Sequence, residues 1–87
     1  MAKVTSLRQF RINLSLTQKQ MAFIIGTTRK TYREKELGHY PFSQEEIIRL
    51  VDYFDLSADD IYNFFYLTAK TYRFYSLYIS KKIHYDS

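Results

Sequence analysis

The chain has 87 residues, 46% of them apolar and 18% aromatic, with no cysteine and a formal charge of +4. That length and apolar content suit one packed domain and are too short for two, and the lack of cysteine excludes disulfide scaffolds, thiolate zinc sites and thiol nucleophiles. No run approaches the roughly 18 apolar residues of a membrane span, and residues 1–14 lack a leader-type apolar stretch, so the expected location is the cytoplasm, away from membranes. With only two Gly and one Pro, the chain has too little punctuation for many short strands. An all-α fold is therefore expected.

The elements follow in order. Leu7, Phe10 and Leu14 recur at three- and four-residue spacing, which predicts a first helix over about residues 7–13 with one buried stripe. Thr17 and Gln20 form a possible capping box for a second helix. Met21, Ala22, Ile24 and Ile25 supply its buried face, and Gly26 ends it. Thr27 and Thr28 offer the next cap, and a third helix runs to about Glu36, with Gly38 closing it. Pro41 holds residues 39–42 as a loop. Ser43 with Glu46 is a second capping box, ahead of a fourth helix marked by Ile47, Ile48, Leu50, Val51 and Phe54. Ser57 with Asp60 caps a fifth, whose Ile61, Phe64 and Phe65 face inward. Residues 66–85 contain no Gly or Pro. Leu67, Phe74, Tyr75 and Tyr78 share one side of a helical wheel, opposite Lys70, Arg73, Ser80 and Lys81. A sixth helix is favoured there, although residues 72–79 also suit a strand.

Charge is distributed unevenly. Residues 1–25 carry Lys3, Arg8, Arg11 and Lys19 and no acid, whereas residues 41–65 set six acids against Arg49. A polyanion would attract the basic first half and be repelled by the acidic stretch. Ordinary solvated helix faces would account for the same pattern.

The order helix, short turn, helix, with Gly26 at the turn, fixes a second helix on a first and presents its outer face. That outer face carries Arg29, Lys30 and Arg33, and a major groove admits such a helix. The stretch LTQKQMAFIIGTTRKTYREKELG resembles the helix-turn-helix of the Cro and lambda-type phage repressors, the XRE family. Seven anchors carry the resemblance without gaps over residues 16–38: Leu16, Thr17, Gln18, Ala22, Gly26, Glu36 and Gly38. A looser match extends over residues 7–65. The resemblance implies a five-helix lambda-repressor-like DNA-binding domain over residues 1–65. Residues 66–87 would be an aromatic extension and a dimerisation element.

The resemblance also implies roles. Gln18 would contact a phosphate and brace the start of the third helix. Thr28 would cap that helix and touch the DNA backbone. Arg29, Lys30, Arg33 and Glu34 would face base edges, Glu34 reading cytosine or pairing with Lys30 instead. His39, Tyr40 and Ser43 would lie along phosphates, aided by backbone amides of the fourth helix. Arg11 and Glu36 would form a supporting ion pair. Phe64, Leu67, Phe74, Tyr75 and Tyr78 are expected as dimer contacts, unless the tail fills a groove on its own domain. Three residues depart from the family pattern: Ser15 replaces a frequent glycine, Tyr32 a buried aliphatic and Lys35 an apolar residue. Tyr32 is expected to keep its ring inside and its hydroxyl in water.

The function that the resemblance implies is a sequence-specific transcription regulator, expected as a repressor, that binds a near-palindromic duplex operator as a homodimer. A protein–protein module of antirepressor or antitoxin kind is the alternative. No glycine-rich phosphate loop or Ser/His/Asp arrangement supports an enzyme, and His39 and His84 lack the spacing of a metal site. No cofactor is implied.

Overall fold

The computed structural model describes residues 6–65, 73–75 and 77–81. Residues 6–65 hold five helices in the order α1 (Leu7–Asn13), α2 (Gln18–Ile25), α3 (Arg29–Glu36), α4 (Gln44–Phe54) and α5 (Ala58–Phe65). Residues 73–75 and 77–81 are helical as well, so the tail is helix rather than strand where it is described. No strand occurs among the described residues. The all-α expectation therefore holds.

Local chemistry starts each helix. The Ser6 hydroxyl accepts from the Gln9 amide at the head of α1. At α2 the box is complete: the Thr17 hydroxyl accepts from the Gln20 amide, and the Gln20 side chain accepts from the Thr17 amide. Ser43 and Glu46 repeat the arrangement at α4. Ser57 and Asp60 do so at α5. Each reciprocal pair satisfies two amides that the helix itself leaves without partners.

Gly26 ends α2 in the left-handed region, at φ 77°. Its neighbour Thr27 donates back to the Ala22 carbonyl at 2.9 Å. A β-carbon at Gly26 would stand 2.5 Å from Arg49 Nη1, because that guanidinium donates to the Ile25 carbonyl. The turn thus needs a residue that tolerates positive φ and has no side chain in the path of α4.

The core gathers Leu7, Met21, Ala22, Ile25, Tyr32, Ile47, Leu50, Val51, Leu56, Ile61 and Phe64. Phe10 bridges α1 to the rings of Phe54 and Phe64, each 5.2 Å away. Leu14 does not join them. The first helix stops at Asn13 and the chain turns through Ser15 at φ 58°, leaving Leu14 half exposed. The apolar spacing ran past the end of its helix.

Tyr75 is buried in this same core, 1% exposed, and Tyr78 and Ile79 pack against it. The Tyr78 hydroxyl donates to the Asp52 carboxylate at 3.0 Å. Phe64 is buried too. Two of the residues expected to meet a second copy, Phe64 and Tyr75, are therefore covered by the single chain, and Tyr78 is half-buried on α4. Phe74 remains exposed, and Leu67 and Lys70 lie outside the described residues. Where it is described, the tail packs on its own domain through Tyr75, Tyr78 and Ile79.

Candidate nucleic-acid interface

α3 is short, and Tyr32 is its one buried apolar residue. Tyr32 anchors it against α2, and its ring lies 6.0 Å from that of Phe42. The remaining residues divide by the helical period. Thr31, Glu34 and Lys35 are half-buried and the Glu36 side chain turns inward, whereas Arg29, Lys30 and Arg33 face solvent. The Thr28 hydroxyl caps the helix by accepting from the Thr31 amide, and no acid occupies the first turn. The helix dipole adds positive potential at that same end. On α2, Lys19 is exposed.

The far end of α3 is tied down by a cluster around Glu36, whose side chain is 1% exposed. Arg11 grips the carboxylate with two donors, Nε at 2.8 Å and Nη2 at 3.1 Å. Its third nitrogen donates to the Leu16 carbonyl at 2.9 Å. Tyr32 donates its hydroxyl to the same carboxylate, and Gln18 donates its amide at 3.3 Å. One carboxylate thus joins α1, α2 and α3, and Arg11 extends the tie to the loop before α2. Burial pushes the Glu36 carboxyl up, but the donors from Arg11, Tyr32 and Gln18 outweigh it and hold it below the ordinary value. Burial, and then the bond to Glu36, push the Tyr32 phenol well above its usual range. For Arg11, the bond to Glu36 raises the guanidinium further against the opposing effect of burial.

Two sequence expectations change here. The Tyr32 hydroxyl is not in water; it is part of the Glu36 cluster. Gln18 braces the end of α3, not its start. Lys35, where the family has an apolar residue, is resolved by a polar partner: its ammonium lies 2.6 and 2.8 Å from the Glu46 oxygens. That pair fastens α3 to the first turn of α4 and is mostly buried on both sides. Sequence reading missed it because Lys35 and Glu46 lie on different helices. Tyr32 and Glu36, at i and i+4, were within reach of a spacing argument.

The loop after α3 is arranged differently from expectation as well. Glu34 does not bond to Lys30; its carboxylate meets His39 Nδ1 and lies 3.5 Å from Arg33. The bond to His39 holds its carboxyl below the ordinary value. Tyr40 is exposed. Ser43 donates its amide to the Glu46 carboxylate and its hydroxyl accepts from the Glu46 amide, which leaves the O–H able to donate. Among the first amides of α4, those of residues 44 and 45 are the ones the capping box leaves open.

The arrangement offers a row of solvent-facing cations on a helix whose far end is rigidly held. A family model described as helix-turn-helix matches residues 7–61, well over half of the chain. No curated protein and no solved structure matches it.

Proposed function

Because the chain belongs to the helix-turn-helix family of Cro and lambda-repressor type, a family of DNA-binding transcription regulators, we propose that α3 enters the major groove of duplex DNA and reads sequence there. The observation that carries this reading is the outer face of α3. Arg29, Lys30 and Arg33 are exposed together, with no acid in the first turn, on a helix anchored by Tyr32 and Glu36. Arg29 and Lys30, nearest the N-terminus, donate to guanine O6 and N7. Thr28, Lys19, Tyr40 and the amides of residues 44 and 45 lie along phosphates and position the helix. Two copies bind a near-palindrome with half-sites about 34 Å apart, one turn of the duplex. Binding represses a promoter by occlusion.

A second reading has one observation in its favour. Phe23 is 87% exposed, and with Leu16, Lys19, Gln20, Ile24 and Tyr53 it lines a shallow groove of about 350 Å³ between α2 and α4. Exposed aromatics of this kind mark protein interfaces. The two readings separate on salt. Each phosphate contact releases a counterion, so duplex affinity should fall steeply between 50 and 200 mM salt, by about tenfold or more for a few contacts. Fluorescence anisotropy with a labelled duplex measures it. An affinity insensitive to salt, or no binding at 50 mM, favours the protein-binding module instead.

A further inference from the structure

Glu34 lies on α3 beside the reading cations, where an acid would either accept from a base or repel the phosphates. What surrounds it decides which. The helix ends in a turn with two backbone bonds: the Gly38 amide donates to the Lys35 carbonyl at 3.1 Å, and the His39 amide donates to the Glu34 carbonyl at 2.9 Å. Gly38 makes the turn possible at φ 86°. In this helix stop the residue after the glycine folds back over the residue that accepts its amide, and an apolar contact between those two side chains is usual. Here the two are polar, and they meet: His39 Nδ1 bonds the Glu34 carboxylate. The ring is thus placed by the backbone as well as by its own bond. Arg33 stands 3.5 Å from the other carboxylate oxygen.

We infer that His39 is a specificity-positioning residue: it holds the Glu34 carboxylate back against the end of α3, leaving Arg29, Lys30 and Arg33 to read the groove. This rests on the DNA-binding reading above. It also departs from the simpler expectation that His39 touches a phosphate itself. A ring committed to Glu34 acts on the DNA through that carboxylate, by keeping a negative charge from the phosphates and from cytosine amino groups.

The experiment compares the wild-type chain, His39→Ala, Glu34→Gln and the double variant, each for affinity and for bases selected from a random duplex pool. An exposed side-chain contact of this kind is worth well under tenfold, so the expected affinity loss in His39→Ala is about threefold at 50 mM salt. A new cytosine preference should appear at one position of the selected site. The double variant should return to the affinity and selected site of Glu34→Gln, since without the carboxylate His39 has nothing to hold. If His39→Ala loses the same affinity whether or not Glu34 is present, the ring contacts DNA directly and the inference is overturned. Unchanged affinity and an unchanged site in His39→Ala overturn it too. Failure of the wild-type chain to bind any duplex strikes the DNA-binding reading, a result distinct from all of these. Circular dichroism spectra of the four proteins show that folding is preserved.

Discussion

At the scale of single residues, Glu36 holds more together than any other side chain in the candidate site. Its carboxylate receives Arg11 twice, Tyr32 and Gln18, and is almost wholly buried. Removing it strands a guanidinium that is itself only 12% exposed and leaves a buried phenol without an acceptor. Breaking a buried pair from one side costs about 3 kcal/mol or more. Glu36→Ala should lose that much in urea unfolding, while Glu36→Gln, which keeps an acceptor, should lose less. The same cluster predicts a dependence on pH. Glu36 and Glu46 are held below the ordinary carboxylate value of 4.5 in the folded chain. Their stabilisation is complete above that value and declines as the pH falls through their lower folded values. Tyr32 is raised above 10.0, so the unfolded chain ionises it first and stability declines as the pH rises past 10. Unfolding midpoints measured from pH 3 to pH 11 should form a plateau with both shoulders, and Tyr32→Phe should flatten the alkaline one.

At the scale of elements, the two glycines end neighbouring helices in one conformation but in different surroundings. Gly26 and Gly38 have φ values of 77° and 86°. A β-carbon at Gly38 meets nothing within 4 Å, whereas at Gly26 it meets the Arg49 guanidinium. Both alanine variants carry the strain of a left-handed residue, about 1 kcal/mol. Gly26→Ala also displaces Arg49 from the Ile25 carbonyl, adding about 1.5 kcal/mol for a lost charged hydrogen bond. Thermal unfolding should therefore rank Gly26→Ala clearly below Gly38→Ala, and the two should be equal if Arg49 does not matter. Elements are also where the sequence was most legible. The boxes Thr17–Gln20 and Ser43–Glu46 follow from a three-residue spacing, and all five helices begin where such local chemistry puts them. Leu14 was misread because periodicity does not see a helix stop. The Lys35–Glu46 pair was invisible because it depends on how α3 meets α4.

At the scale of the molecule, Tyr75 of the aromatic extension belongs to the domain's own core. Tyr75 is 1% exposed and shares that core with Leu7, Ile47 and Phe64. The extension's apolar side was readable from the wheel, but a stripe of aromatics does not say whether it faces its own chain or a second one. Tyr75→Ala should lower stability by about 3–5 kcal/mol, as for other buried aromatics. Sedimentation of the still-folded fraction should be unchanged. A shift to a smaller species with stability intact would restore the dimer contact instead.

Arg29, Lys30 and Arg33 of α3 are exposed together, while Glu36 and Lys35 turn inward to hold that helix in place. The central claim is that this outer face reads base sequence. Selection of bound duplexes from a random pool, run in parallel on the wild-type chain and Arg29→Ala, tests it most directly. The wild-type chain should enrich a near-palindromic site, and Arg29→Ala should bind that site about 1–3 kcal/mol more weakly and lose preference at one base position in each half. Identical enrichment and affinity in the two proteins would contradict it.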